Sequence, residues 1–498
     1  MCGDFLHKTN TMGLTLEQRA NRLIVYCPNQ TAVNAITAFL TFNRPVTERK
    51  WGKLEWKVQK ELCYKRTNLW NAIETSMGFQ DGLIKEFRSK YDIKLVENRP
   101  KRWDENCAPD WSRLDKNIVF RANQREILEK MFAADRGLIT VPTAVGKGLF
   151  IQTYISLLPK ARIIVTTSSQ SVLIQLWENI NKSLLGKAGI NCSSKKFNTD
   201  ARVVCVSTGT LQKYLKPQGD QNIDVVLFDE VHEMGSKQRL ELVENVREAK
   251  LFGFSANATR PDKAEFRITG LFGPAIEEMK YDEAVDKDLV TPICVVWCPV
   301  RSNIDPTAYH ETPIAKERHG IWRYERRNKA IAEVANLFGD DEQVLITCKT
   351  IDHALHLYAL LPDYWVVYSP KDYKELNRFR HLKGIDKIPK MDKAKLAKIK
   401  KRFEYGGLTK VIATSVWSRG VNFPKLSVLI RADGASSVIA NTQWPGRAAR
   451  KQDDKDVSLV FDFTDEFCDQ FHKKALARRK HYKDHGWEQI SLKQLLED

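Results

Sequence analysis

The sequence predicts an α/β protein in which two parallel-sheet domains follow one another behind a smaller α/β unit. Three observations carry this. At 498 residues the chain is too long for one ordinary core and has room for about three domains at ~100–200 residues each. From Val119 onward, short β-branched runs alternate with amphipathic stretches, as expected of strands buried on both faces and linked by crossover helices. The same texture returns after about residue 290, giving expected boundaries of 1–113, 114–288 and 289–498.

In the first unit, RLIVYCP reads as a strand and 29–42 as an apolar-periodic helix. Arg44, Arg49, Lys50, Trp51, Lys53, Trp56, Lys57, Lys60, Tyr64, Lys65 and Arg66 then form a basic stretch with interleaved aromatics. Such composition suits base stacking and phosphate attraction, while core packing is the commoner fate of Trp51, Trp56 and Tyr64. GLIKEFRSKYD reads as helix, IKLVENRP as extended, and ENRPKRWDENCAPDWSRLD as a linker.

LITV, RIIVT, RVVCVS, DVVLFDE and LFGFSA supply strands of the first parallel sheet. CVVWCPV, QVLITC, YWVVYS, KVIATS and SVLIRA supply those of the second. The Lys-rich stretch 371–402 ends in helical spacing of Leu396, Ile399 and Phe403, which predicts one packed face and one charged face. FHKKALARRKHYKDHGW reads as a helix closing the second domain.

Composition narrows the function. With 43% hydrophobic residues and 10% aromatics, the chain is that of a globular rather than a disordered protein. Its net charge of +17 and pI near 9.3 favour a polyanionic partner, because Lys and Arg displace counterions condensed on phosphates. A merely soluble basic protein is the competing explanation. No apolar stretch is long enough to span a bilayer, and MCGDFLHKTNTMG lacks the charged and apolar regions of a leader. The ten cysteines are scattered, and Cys294 and Cys298 lack a second Cys or His pair at zinc spacing. We expect buried free thiols, a reducing cytoplasm, no membrane and a monomer.

Chemistry concentrates in three segments. LITVPTAVGKGLFIQ places a strand before a tight turn and a helix, so the backbone of Thr143, Ala144, Val145 and Gly146 would face a phosphate, with Lys147 on its terminal oxygens. Val141 stands where the full phosphate-loop pattern has Gly, and Gly148 where it has the Ser or Thr that binds Mg²⁺. Downstream, strand DVVLF runs into Asp229, Glu230, Val231 and His232. There Asp229 would hold Mg²⁺, and Glu230 would orient and deprotonate the attacking water. Distally, QWPGRAAR presents Gln443 with Arg447 and Arg450, two guanidiniums suited to charge on a transferred phosphoryl group.

In this order and spacing, 117–465 resembles the superfamily 2 helicases and translocases, a resemblance that implies two RecA-like domains, ATP with Mg²⁺, and nucleic acid as partner. By that resemblance FRANQREIL reads adenine through Gln124 with Arg121 nearby, although Asn123 replaces a frequent aromatic. GFSANATRPD resembles the coupling motif, with Ser255 and Asn257 joining His232; Asn257 replaces the usual Thr. IATSVWSRGVNFP resembles the motif that puts Thr414 on a backbone phosphate and Gly420 and Asn422 near the nucleotide, with Asn422 where Asp is frequent.

Thr167, Ser168, Thr208, Thr210 and Thr347 are the further candidate phosphate grips, because hydroxyls hold phosphates without reading sequence. Each also suits a strand-end turn. The resemblance implies that closure of two lobes on ATP, and release on hydrolysis, moves the protein along nucleic acid.

A small α/β unit ahead of such a core resembles the phage recombination and branch-migration helicases of the UvsW type, and RRKHYKDHGW resembles the end of that group and of the XPB-like branch. This implies DNA, and branched DNA in recombination, replication or repair. An RNA-directed helicase, a restriction-system motor and a non-hydrolysing nucleic-acid binder remain open alternatives.

Overall fold

The computed structural model describes residues 13–497, apart from 20, 51–52, 99–101, 216–221, 235–248, 257–264, 418–420, 422, 436–443 and 452–454. Contacts divide the chain into two units, Met1–Val141 with Gly146–Met279, and Pro142–Val145 with Lys280–Asp498.

The first unit begins with strands β1 (Gly13–Arg19), β2 (Arg22–Tyr26), β3 (Thr41–Lys50), β4 (Lys53–Leu62), β5 (Tyr64–Arg66), β6 (Ala72–Ser76) and β7 (Asp92–Asn98). Five of these form a sheet in the order β5-β6-β2-β1-β7, with β1 parallel to β7. Helices Gln30–Phe39 and Gln80–Phe87 cover it, burying Val33, Ile36, Leu83 and Phe87 against Leu14, Leu16, Leu23 and Val25. The Asn29 side chain caps the first of these helices by accepting from the Ala32 N–H at 2.9 Å.

The basic aromatic stretch folds as the hairpin β3–β4, paired from Thr41↔Leu62 to Lys50↔Lys53. Lys57, Val58 and Lys60 are exposed on it, while Tyr64 packs at the edge of the core. Trp51 and the Trp56 side chain lie outside the described residues.

The stretch expected as a linker is instead packed. It contains helix Arg102–Asn106 and a turn of 3-10 helix at Trp111–Arg113, and it buries Trp103 and Cys107. The Asn106 amide donates to Asp224 at 3.2 Å, and the Asp110 N–H to the Leu157 carbonyl at 2.8 Å. Its polar letters suggested a tether, but burying the Trp103 ring together with the Cys107 thiol gains more than a free linker would.

Strands β8 (Arg136–Thr140), β9 (Ile163–Thr167), β10 (Gly189–Cys192), β11 (Lys195–Phe197), β12 (Val203–Ser207), β13 (Val225–Asp229), β14 (Lys250–Ser255) and β15 (Ala275–Glu278) make the first large sheet. Their order is β11-β10-β12-β9-β13-β14-β8-β15, parallel throughout except at β11. All five expected runs are strands here, and the central ones are wholly buried, as β-branched runs without alternation require.

Helix Glu265–Phe272 serves two cores at once. Ile268, Leu271 and Phe272 pack under the large sheet, while Phe266 enters the core of the N-terminal sheet, 5.0 Å from Phe79 and 5.3 Å from Phe42. Close approach depends on paired glycines. A Cβ on Gly78 would come within 2.4 Å of the Gly273 nitrogen, and one on Gly270 would strike the Phe79 ring. Arg267 pairs with Glu61, and Arg136 donates to Asn21 at 2.7 Å.

In the second unit, β16 (Ile293–Val300), β17 (Val344–Thr347), β18 (Trp365–Val367), β19 (Lys410–Ala413), β20 (Val428–Arg431), β21 (Ser458–Asp465) and β22 (Glu488–Ser491) form one parallel sheet in the order β18-β19-β17-β20-β21-β16-β22. The five expected strands are all present. Helix Lys393–Glu404 buries Ile399 and Phe403 and exposes most of its lysines, as its spacing predicts. The C-terminal helix spans Asp469–Asp484 and is followed by β22 at the sheet edge. Nine described cysteines are free thiols, eight of them buried. No helix among the described residues is long and apolar enough to cross a membrane.

Candidate active site

Parallel strands deliver their C-terminal ends to one sheet edge, and in the first unit the candidate residues gather there. After β8 the chain turns through Ala144 at φ +82° and Gly146 at φ +117°, then enters helix Lys147–Leu157. The first conformation is strained for a residue with a Cβ, and the second favours glycine. Val145 is buried, and its N–H bonds the Pro142 carbonyl at 3.3 Å. At Gly148 an added Cβ would meet only Gln152 Nε2, at 3.8 Å, so the missing hydroxyl is not a matter of space.

Gln124 is buried at the start of helix Gln124–Ala133, and its Oε1 accepts from the Arg121 N–H at 2.9 Å. A Cβ on Gly146 would stand 3.1 Å from Gln124 Nε2, so the phosphate-loop candidate and the adenine-reading candidate are neighbours. Asn123, before that helix, has φ +48°, a conformation Asn tolerates better than most aromatics.

At the end of β13, the Glu230 N–H donates to Asp229 Oδ1 at 3.1 Å, with Glu230 itself at φ +54°. The Lys147 ammonium lies 3.4 Å from Glu230 Oε1, and His232 Nδ1 lies 3.4 Å from Glu230 Oε2. His232 Nδ1 also meets Ser255 Oγ at 3.0 Å, reaching the end of the adjacent strand β14. Burial and the neighbouring Glu230 charge push the Asp229 carboxyl up to about 7, against the opposing pull of Lys147.

A carboxylate so placed is stabilised by a cation. Among the described residues no cluster of three or more His, Cys, Asp or Glu forms a closed metal cage. Asp229 and Glu230 offer the one or two carboxylates that Mg²⁺ commonly takes, its shell being completed by phosphate oxygens and water.

Thr167 ends β9 and Thr208 follows β12, and these strands pair Ser207↔Thr167, so Thr167, Ser168, Thr208 and Thr210 share the same edge. The Thr167 and Ser168 hydroxyls have no hydrogen-bond partner among the described residues, whereas Thr210 Oγ1 meets Ser207 Oγ at 2.7 Å.

In the second unit, Thr347 ends β17 and Thr414 follows β19, beside it. Both are buried, and the Thr347 hydroxyl turns to the Ile430 carbonyl at 3.4 Å. Arg447 lies on a short helix at 444–448, stacks 4.9 Å over Trp444 and donates to the Trp417 carbonyl at 2.6 Å. Nothing in the sequence signalled that carbonyl as its partner. Arg450 bridges Val290, and desolvation lowers its guanidinium to about 10, which leaves it charged at neutral pH. Asn257, Gly420, Asn422 and Gln443 lie outside the described residues.

Comparison with known proteins accords with this geometry. Residues 117–260 match the family described as type III restriction enzyme, res subunit, and 326–452 match the helicase conserved C-terminal domain, together just over half of the chain. The chain belongs to the superfamily 2 helicases. Its two large sheets are the two RecA-like domains of an ATP-dependent helicase.

Among relatives of this helicase, the ATP-dependent DNA helicase uvsW of Enterobacteria phage T4 is 22% identical over 390 residues, covering 76% of this chain and 72% of that protein. The general transcription and DNA repair factor IIH helicase/translocase subunit XPB of Schizosaccharomyces pombe is 27% identical over 237 residues, or 43% of this chain. The helicase spans 29% of that XPB protein's length. The crystal structure of T4 UvsW overlays with a TM-score of 0.41 at 16% identity, covering 96% of this chain and 99% of that one.

Proposed function

We propose that the chain couples ATP hydrolysis to movement on DNA, and that it remodels branched DNA such as forks and junctions. The observation that carries this is the chain Lys147–Glu230–His232–Ser255, which joins a phosphate-loop helix to the ends of β13 and β14. The net charge of +17 and the DNA helicase named among the relatives support DNA as the partner.

In this reading the turn 143–146 and Lys147 hold the phosphates of ATP, and Gln124 with Arg121 holds adenine. Asp229 would hold Mg²⁺, directly or through water. When bound, Mg²⁺ supplies positive charge to the phosphate oxygens. Glu230 orients the attacking water and takes its proton, and its spacing from Lys147 suits it to both tasks. His232 and Ser255, with Asn257, carry the state of this acid to the nucleic-acid grips. Arg447 and Arg450, with Gln443, Gly420 and Asn422, act in the same hydrolysis cycle. Thr167, Ser168, Thr208, Thr210, Thr347 and Thr414 hold backbone phosphates. The N-terminal unit recognises the substrate, and the protein works as a cytoplasmic monomer.

The test is ATPase activity with Mg²⁺ measured in parallel on forked DNA, Holliday-type junctions, single-stranded DNA and RNA. Stimulation by DNA, strongest on branched forms and lost in Lys147→Ala, is expected. Preferential stimulation by RNA overturns the choice of substrate, and duplex cleavage accompanying turnover favours a restriction motor. Wild-type turnover no higher than that of Lys147→Ala on every cofactor overturns the enzymatic reading.

A further inference from the structure

Three guanidiniums are buried almost completely in the second unit: Arg327 and Arg431 at 0% exposure and Arg478 at 1%. They come from three separate elements, the helix Glu325–Ala335, the end of β20 and the C-terminal helix. Their acidic partners are Asp465 for Arg327 at 2.7 Å, Asp433 for Arg431 at 2.9 Å, and Asp462 for Arg478 at 2.9 Å. Tyr482 donates to Asp462 at 2.7 Å and accepts from Arg431. Desolvation opposes every charge here, yet the Asp462 carboxyl is held below its usual range by Arg478 and Arg431.

Burying three ion pairs is a poor way to gain stability, since each ion must lose its hydration before pairing returns part of it. Their arrangement points to a positional role. Arg327 donates to the Ala432 carbonyl at 2.9 Å, Arg478 to the Gly434 carbonyl at 3.4 Å, and Arg431 to the Ala435 carbonyl at 3.3 Å. Asp433 Oδ1 accepts from the Ala435 N–H at 2.9 Å, and Gly434 has φ +60°.

One four-residue turn thus has three of its carbonyls held by guanidiniums from three elements. The turn lies at the C-terminal end of β20, twelve residues before Arg447 in the sequence, with residues 436–443 outside the described ones. The Arg447–Arg450 segment has holds of its own. Lys455, itself buried, donates to the carbonyls of Ala448 and Leu426, the Ser458 hydroxyl donates to Ala448, and Thr291 donates to the Arg450 carbonyl at 3.1 Å.

We propose that Arg327, Arg431 and Arg478 are positioning residues, a buried clamp on the turn 432–435 through which the C-terminal helix sets the geometry of the Arg447–Arg450 segment. For catalysis the clamp rests on the function proposed above, because its consequence is read through ATP turnover. For structure it does not.

Arg478→Lys keeps the charge but loses the planar fork that reaches Asp462 and two backbone carbonyls at once. Amide hydrogen exchange of the whole protein is the first measurement. Exchange at 432–435 and 444–450 should speed at least tenfold in Arg478→Lys, with β16, β17 and β19 unchanged. Unchanged exchange at 444–450, or acceleration spread evenly over the sheet, overturns the proposal whether or not the protein hydrolyses ATP.

The second measurement is steady-state ATPase. Arg478→Lys should lower kcat at least tenfold with KM for ATP within about twofold, and Tyr482→Phe should do so more weakly. In a double-mutant cycle the effect of Arg478→Lys should vanish in an Arg447→Ala background, because the clamp acts through that segment. Additive losses there show that Arg478 acts elsewhere. A wild type without ATPase, with the exchange result intact, overturns the proposed function and leaves the clamp standing.

Discussion

Lys147 Nζ and Glu230 Oε1 face each other at 3.4 Å across the edge where β8 and β13 deliver their C-terminal ends. In the proposed function one holds phosphate and the other activates water, and here each partly neutralises the other. On that proposal an arriving phosphate would take Lys147 away from Glu230 and free the carboxylate as base only once substrate is bound.

This exchange of partners separates two variants. Glu230→Gln should lower kcat by about 100-fold or more, the scale of general-base catalysis, while leaving ATP affinity equal or higher, because Lys147 no longer shares a carboxylate. Lys147→Ala should instead lose ATP affinity along with turnover. Equilibrium nucleotide binding measured beside single-turnover hydrolysis checks this, and a loss of ATP affinity in Glu230→Gln contradicts it.

In the proposed site Gly148 stands where a hydroxyl would join the Mg²⁺ shell, and its surroundings leave room for one. Gly148→Ser should lower the Mg²⁺ concentration for half-maximal ATPase by several-fold. A Mg²⁺ titration at fixed ATP decides it, with an unchanged or higher requirement counting against Asp229 and water as the native shell.

Phe266 lies on the helix under the first large sheet and packs against the core of the N-terminal sheet. Phe266→Ala should destabilise the docking of the N-terminal sheet by about 2–3 kcal/mol, somewhat less than a fully buried Phe→Ala change because the ring is half-buried. Calorimetry should then resolve a separate N-terminal transition, and limited proteolysis should release that sheet early. A single unshifted transition would show that the paired glycines suffice for docking.

His353 is wholly buried, with Nε2 3.1 Å from Asn328 Oδ1, and burial, Arg327 and His356 hold its ring well below the usual histidine range, against a small pull from Asp352. The unfolded chain therefore binds this proton first as pH falls below about 6.5, so the contribution is present above that pH and lost as acid is added. His481, lowered to about 4 by burial and His485, adds to the same slope. The thermal midpoint of the second domain should fall from pH 7 to pH 5, and less steeply in His353→Gln. Parallel melting curves of the two proteins across that window would contradict this.

The sequence by itself determined the two large sheets, because strands buried on both faces need uninterrupted β-branched runs, and all ten quoted runs became strands. It also placed Lys147, Asp229 and Glu230 on one edge, since a parallel sheet sends every strand end the same way and local turn chemistry marks which ends carry function. Short edge strands such as β11 and β15 left no such mark, and a polar stretch around Trp103 looked like a tether.

Only the tertiary structure decided what depends on residues far apart in the chain. Docking of the N-terminal sheet rests on Gly78 against the backbone at 269–273 and Gly270 against the Phe79 ring, and a glycine's letter does not say whether it turns or makes room. Arg327 meets Asp465 and the Ala432 carbonyl from more than 100 residues away, and Arg478 reaches the Gly434 carbonyl 44 residues away. Local periodicity is fixed by neighbours three or four positions away, whereas a buried charge is defined by whichever distant partner removes it from water.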